Sequence, residues 1–134
     1  MEIELNGFTL TEEDIPFTIR ELLKGIKSDG RKRGLSLLLA YFTSLEVQVH
    51  NVIEIIDEWN KKNYKQLNED YIIAQHVWYL KNRMLPPNYD KPIYKELGLD
   101  KFIEEGFNNP INYTIKKILQ KQKKDDKRVG EKSI

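Results

Sequence analysis

Residues Asp29 to Tyr41 read Asp-Gly-Arg-Lys-Arg-Gly-Leu-Ser-Leu-Leu-Leu-Ala-Tyr, and this stretch decides both the fold class and the candidate site. A glycine turn precedes three consecutive cations, and the cations open a strongly apolar segment. Helix N-termini present unpaired N–H groups and the positive end of the helix dipole, so they attract anions. An arginine fork also matches a phosphate with two hydrogen bonds. The stretch predicts either a phosphate-binding helix start or a basic surface turn ahead of an ordinary core helix.

Length and composition limit the classes of protein to consider. The 134 residues suit one domain whose core needs no covalent staples. The 22 Lys and Arg residues nearly balance 21 Asp and Glu residues, so any nucleic-acid binding must come from local patches. The absence of cysteine excludes disulfides, thiolate metal sites and cysteine nucleophiles. With no apolar run near the ~20 residues of a membrane span and no signal-peptide pattern, we expect a soluble, cytoplasmic (intracellular) protein without a membrane partner.

Apolar residues recur with helical spacing along nearly the whole chain, which predicts an all-α, compact bundle of about five to seven helices. In the first ten residues, alternation around Asn6-Gly7 instead predicts a small hairpin or an extended arm. Helices are predicted from Pro16, from a cap at Ser28 or Asp29 to about residue 44, and over 49–62, 71–83, 93–97, 101–105 and 111–123. The organisation is an N-terminal arm over 1–14, a helical domain over 15–120 and a disordered, charged tail over 121–134.

No set of residues predicts catalysis or a metal site. Neither His50 nor His76 stands in a nucleophile or metal-ligand pattern. A polymerase-type metal site needs several converging carboxylates, and the adjacent pair Asp57 and Glu58 does not suggest one.

The helix predicted over 71–83 mixes aromatic, amide and cationic side chains. Tyr71, Gln75, Trp78 and Asn82 fall on one helical face, and Lys81 is a near neighbour of Trp78. Such a face suits base stacking and contact with a nucleic-acid backbone, but Trp78 also fits the apolar core. The basic tail leaves a similar choice between a solubilising segment and a binding arm.

The order of several short motifs resembles the C-terminal domain of the archaeal and eukaryotic primase large subunit. The motifs cover about residues 15–119 and are Ile15-Pro16-Phe17, Gly30-Arg31-Lys32-Arg33, Tyr71 with Gln75-His76, Leu85-Pro86-Pro87-Asn88-Tyr89, Gly98-Leu99-Asp100 and Asn109-Pro110-Ile111-Asn112-Tyr113. The family signatures look like P-P-C, a basic G-R segment, R-Y-Q-x-x-H, P-P-S-C, G-L-C and N-P-L-S-Y.

The chain departs from this family at its cysteines. Family members hold an iron–sulfur cluster with four cysteines, whereas Phe17, Tyr89 and Asp100 stand at three of those positions and the fourth falls near Phe107. The chain therefore resembles a cluster-free branch, and we expect no metal, no iron–sulfur cluster and no other cofactor. Apolar packing of Phe17, Tyr89 and Phe107 is expected to replace the cluster, because aromatic side chains bury considerable area.

The resemblance implies a non-catalytic primase subunit in DNA replication. Family domains hold the triphosphate of the initiating nucleotide and the single-stranded DNA template, while a catalytic subunit forms the first bond. It implies triphosphate contacts at Arg31, Lys32, Arg33, Gln75 and His76, with the two arginines in one accessible cleft. Template contacts are expected at Tyr71, Trp78, Lys81 and Arg83. The expected partners are the primase catalytic and large subunits, the template and a nucleoside triphosphate.

Three other interpretations stay open on the sequence. The chain could be a helical-bundle domain of a plasmid or viral primase. It could be a structural or assembly subunit that keeps the family fold without a ligand site, in which case carboxylates should pair with Arg31 and Arg33. An unrelated helical DNA-binding protein is the third, although the inter-helix spacings do not demand a helix-turn-helix.

Overall fold

The chain begins with a β-hairpin that docks on the helical domain. The computed structural model describes the backbone of residues 2–5 and 7–132 and the side chains of 2–5 and 7–125. Strands β1 (Glu2–Leu5) and β2 (Phe8–Thr11) pair antiparallel, with Ile3 opposite Leu10. Both of these side chains are buried in the core. Of the two alternatives predicted for this segment, a small hairpin or an extended arm, the structure has the hairpin.

One helix, α2 (Arg31–Ser44), forms the centre of the molecule. Its residues Gly34, Leu35 and Leu37 to Thr43 are buried, so the helix has no solvent-facing stripe beyond its first turn and Ser36. A helix that is apolar all round must be surrounded by other elements. The short helix α1 (Phe17–Leu22) precedes it, and Leu22 Cδ1 lies 3.3 Å from where a Cβ on Gly34 would stand.

Helices α3 (Val49–Lys62) and α4 (Glu69–Asn82) both pack on α2. The bounds of α3 match the prediction, and its apolar stripe buries Val52, Ile56 and Trp59. The Trp59 indole N–H donates to the Leu22 carbonyl at 3.0 Å, which fixes α3 against α1. Asn68 caps α4 by accepting a hydrogen bond from the Asp70 N–H at 2.8 Å.

The remaining elements complete an all-α fold in which the hairpin is the one sheet of the described residues. Helix α5 (Pro92–Glu96) is followed by a 3-10 turn over Asp100–Phe102, where a helix over 101–105 was predicted. Helix α6 (Pro110–Lys132) contacts both α2 and a 3-10 turn at Glu12–Asp14. Within the described residues, no helix is both long and apolar enough to cross a membrane.

The backbone of α6 is helical through Lys132, so the end predicted for this helix, at about residue 123, comes too early. That prediction rested on the loss of apolar periodicity, which reports on packing and not on the helix itself. One contact holds the segment at its beginning, because the Lys121 ammonium pairs with the buried Asp14 carboxylate. Residues 133 and 134 lie outside the described residues.

Hydrogen bonds join α1 to the later loops. The Phe17 ring is 53% exposed, while its N–H donates to Glu104 Oε1 at 2.8 Å. The Thr18 hydroxyl bonds the Tyr89 hydroxyl at 3.1 Å. The Phe107 ring packs on Tyr113 with 5.4 Å between centroids. The expected cluster of Phe17, Tyr89 and Phe107 is therefore corrected to three separate contacts.

Candidate functional site

The N-terminus of α2 lacks the side-chain cap that was predicted at Ser28 or Asp29. Gly30 takes the N-cap position with a φ of 115°, in the left-handed region that glycine alone adopts readily. A Cβ here would also lie 2.9 Å from the Leu97 side chain of the loop after α5. No side chain caps the first turn, and Arg31, Lys32 and Arg33 all follow it. Three cations at the positive end of a helix dipole are electrostatically unfavourable, and a bound anion would offset this repulsion.

The two arginines of this turn engage different segments. Arg31 Nη1 donates to the carbonyls of Lys65 at 2.9 Å and Gln66 at 3.1 Å. Arg33 Nε lies 3.4 Å from Glu96 Oε2 of α5, and both side chains are about half exposed. The expected convergence of Arg31 and Arg33 on one cleft is therefore not observed, because Arg31 fastens the α3–α4 loop and Arg33 reaches α5.

Lys32 meets the residues of α4 that were predicted to share one face. Its ammonium lies 4.9 Å from the centre of the Tyr71 ring, in cation–π range. One turn further along α2, the Ser36 hydroxyl bonds the Tyr79 hydroxyl. Gln75 lies one turn from each tyrosine and is half-buried on the same face of α4. The structure thus brings Lys32 to Tyr71, and Gln75 lies one turn from Tyr71 on α4.

His76 leaves this group, because adjacent helical residues point about 100° apart. It is 93% buried and lies on the side of α4 that faces α3. Its Nε2 has no hydrogen-bond partner in the described structure. Burial lowers the pKa of His76, so the ring is neutral at neutral pH. Gln75 and His76 were both predicted to contact the triphosphate, but their side chains lie on different sides of α4.

The predicted template residues lie along the open surface of α4 and at its end. Trp78 is 44% exposed and packs edge-to-face on Tyr79 with 4.9 Å between ring centroids. Lys81 is exposed. Arg83 caps the helix with a φ of 43° and pairs with Glu46 at 2.8 Å. From Tyr71 to Trp78 the surface runs about 10 Å along the helix, so an aromatic strip of that length borders Lys32.

The structure also has a cleft that sequence reasoning missed. It measures about 550 Å³ and runs beside the start of α2, between residues 21–29 and residues 95–102. We call it the lysine cleft, for Lys24, Lys27, Lys95 and Lys101 along its walls. Three carboxylates also line it: Glu21, which pairs with Lys24 at 2.8 Å, Asp29, and Glu96, the partner of Arg33. Arg33 thus reaches the edge of the cleft through Glu96 and is not one of its lining residues. Its residues come from two distant segments, so no spacing in the sequence could reveal it.

The described side chains form no cluster of metal ligands. Among residues 2–5 and 7–125, no three His, Asp or Glu side chains group closely enough to hold a metal ion. The expected absence of a metal or other cofactor stays a prediction.

Comparison with family models, curated proteins and solved structures gives no match. The resemblance to the primase large-subunit domain therefore stays a prediction that rests on the quoted motifs.

Proposed function

We propose that this protein is a non-catalytic primase subunit that holds the triphosphate of the initiating nucleotide and the single-stranded template for a partner catalytic subunit. The resemblance extends to PriX, an accessory subunit of some archaeal primases. The observation that carries the proposal is the position of the lysine cleft beside the cationic first turn of α2. A cleft of this volume suits a ligand of nucleotide size.

Arg33 is the residue we assign to the triphosphate. Its present partner, Glu96, is half exposed and 3.4 Å away. An ion pair of this kind contributes about 0–1 kcal/mol, so a phosphate group can replace the carboxylate. A phosphate accepts two hydrogen bonds from the guanidinium, and the lysines of the cleft add positive charge. Arg31, by contrast, acts by positioning the loop that it fastens.

The strip along α4 suits the template. Trp78 offers an exposed ring for stacking, and Lys32 and Lys81 offer cations for the backbone. Holding two reactants together removes an entropic cost from first-bond formation. A subunit with this task needs phosphate contacts and stacking faces, while the metal-binding carboxylates belong to the partner.

A structural subunit without a ligand site is the second candidate. The contacts of Arg31 with two carbonyls and of Arg33 with Glu96 favour it, because both guanidinium groups already have partners. The two candidates differ in the effect that removal of Arg33 should have on the affinity for a nucleoside triphosphate.

A titration with a nucleoside triphosphate tests this difference. Arg33→Ala should weaken binding roughly 10-fold or more, the loss of a charged hydrogen bond of about 1.5–3 kcal/mol. Arg83→Ala is the matched control, because Arg83 also pairs with a half-exposed glutamate. Glu96→Gln should tighten binding by releasing Arg33. Equal affinity of the two arginine variants would reject the triphosphate site and leave the structural subunit.

A primer synthesis assay tests the role in initiation. The protein alone should make no primer, and with a catalytic primase subunit it should stimulate dinucleotide synthesis. A preformed primer should abolish most of that stimulation, because the first bond already exists. Equal stimulation of both steps would indicate a general scaffold, and synthesis by this protein alone would refute the non-catalytic assignment.

A further inference from the structure

A groove between α3 and α4 lies on the other side of α4 from the aromatic strip of Tyr71 and Trp78. Both helices pack on α2, and Leu39 of α2 lies between them. Ile53 and Ile56 line the groove from α3, and Ile72 and Ile73 line it from α4. Its volume is about 490 Å³. We call it the α3–α4 groove.

The apolar surface continues beyond the groove along both helices. Ile53 is 56% exposed and Ile73 is 54% exposed. Val49 and Val77, each four residues away on the same helix, are 46% and 45% exposed. Each pair spans about one helical turn and extends the apolar surface of the groove along its own helix. Apolar side chains grouped in this way on a surface mark an interaction site.

The charge around the α3–α4 groove is negative. Glu54 and Asp57 border it on α3, and Glu69 borders it at the start of α4. The ion pairs of the described residues give Asp57 one partner, Lys61 at 3.2 Å, and give Glu54 and Glu69 none. An acidic border repels nucleic acid and anionic lipid, and it attracts a cationic occupant.

His76 supplies an independent sign that the groove is incomplete. The side chain lines the groove and is 7% exposed, and its Nε2 has no partner. A buried polar atom without a hydrogen bond is unfavourable, so an occupant that supplies one would be stabilised.

We propose that the α3–α4 groove binds an amphipathic helix of a partner protein, with apolar side chains at i, i+4 and i+7 and Lys or Arg on its flanks. Apolar anchors on one face of a helix fit a groove of this kind. The flanking cations would face Glu54, Asp57 and Glu69. This inference is independent of the nucleotide-binding proposal, because the groove and the lysine cleft share no residue.

A second copy of this chain is a poorer occupant. Helix α6 does expose Ile115 and Leu119 beside Lys116 and Lys123. However, Leu39 of α2 faces the groove while Tyr41 bonds Thr114 of α6, and residues two apart on a helix point about 200° apart. The groove and α6 thus lie on opposite sides of α2. Self-docking of α6 in the groove would be a heterologous contact, which builds rings or open filaments.

A peptide titration tests the proposal with the full-length protein. The probe is a 15-residue helical peptide with Leu at i, i+4 and i+7 and Lys on both flanks. Its matched control has Glu in place of every Lys. We expect micromolar affinity for the Lys peptide, at least 10-fold weaker binding of the Glu peptide, and a shift of the His76 ring signals in NMR spectra on binding.

Two isoleucine variants locate the binding surface. Ile73→Lys should weaken binding of the Lys peptide at least 10-fold. Ile115→Lys should not change it, because this exposed isoleucine lies on the opposite side of α2. Circular dichroism should show both variants folded, as expected for changes at exposed positions.

Three outcomes would overturn the proposal. The first is no binding of the Lys peptide, and the second is equal binding by the two variants. The third is self-association of the unmodified protein, abolished by either variant, which would identify a second copy as the occupant.

Discussion

The ion pair between Asp14 and Lys121 predicts an unequal response to removal of its two partners. The Asp14 side chain is 2% exposed and that of Lys121 is 42% exposed. Asp14 Oδ2 also accepts hydrogen bonds from the Thr11 N–H at 2.9 Å and the Thr11 hydroxyl at 3.2 Å. Removing the lysine leaves a buried carboxylate, whereas removing the carboxylate leaves a lysine that water can reach. The first change should therefore cost more stability.

The size of each effect follows from these contacts. Lys121→Met should lower the free energy of unfolding by about 3 kcal/mol, the lower end of the range for breaking a buried pair. Asp14→Asn should lower it by about 1–2 kcal/mol, since the Thr11 contacts become neutral hydrogen bonds. The double variant should be about as stable as Asp14→Asn alone, because the lysine then has no carboxylate to compensate.

Urea unfolding followed by circular dichroism measures these differences. With a slope of ~2 kcal/mol per molar urea, Lys121→Met should lower the midpoint by about 1.5 M. Lys123→Met is the matched control, because Lys123 is exposed and two residues further along α6, and its midpoint should not change.

The pH dependence gives a second measure. Burial opposes ionisation of Asp14, but hydrogen bonds from Lys121 and Thr11 outweigh it and lower the pKa below 3.8. A folded-state pKa below the unfolded one contributes stability above pH 3.8, and the contribution is lost as the pH falls through the folded value. The gap between the unmodified protein and Asp14→Asn should be constant near neutral pH and close in acid.

Equal midpoints for Lys121→Met and Lys123→Met would refute this reasoning. That result would mean that α6 does not bring Lys121 to Asp14. A gap that widens as the pH falls would refute the sign of the pKa change.

Two further predictions concern the backbone around α2. Gly25→Ala should lower the free energy of unfolding by roughly 3 kcal/mol, since its φ is 98° and a Cβ would lie 2.5 Å from the Lys62 carbonyl oxygen. Gly98→Ala should lower it by only about 1 kcal/mol in the same urea assay, because Gly98 has a φ of 69° but open space around it. Arg31→Ala should speed amide hydrogen exchange in residues 64–67 without changing exchange in α6, because Arg31 donates to two carbonyls of that loop; unchanged exchange there would show that the loop does not depend on it.

The elements that the sequence predicted well are those whose signals are local. Helix α3 has a regular apolar stripe, and its bounds followed from that stripe. The hairpin followed from an Asn-Gly turn between alternating residues. The pairing of Lys121 with Asp14 was missed, because the two residues are 107 positions apart and no local pattern reports such a contact.

The candidate site was predicted less well, for a geometric reason. Arg31 and Arg33 form one cluster in the sequence. On a helix, however, side chains two residues apart point about 200° apart. The side chains of Gln75 and His76, one residue apart, point about 100° apart on the helix. Tyr71 and Gln75, which are four residues apart, do share a face of α4, and Tyr71 on that face contacts Lys32. The lysine cleft and the α3–α4 groove depend on how segments pack, which spacing alone does not encode.

The complete burial of residues 37–43 of α2 has a consequence for how this protein can change over evolution. A helix with one exposed face can accept substitutions there, but residues 37–43 of α2 have no such face. Each replacement must conserve volume, or else a neighbour on α1, α3, α4 or α6 must change with it. Sequence divergence should therefore concentrate on the surrounding helices, while the volume profile of this one helix persists. A distant relative would be recognised by the run of residues 37–43, in which side-chain size is retained more than residue identity.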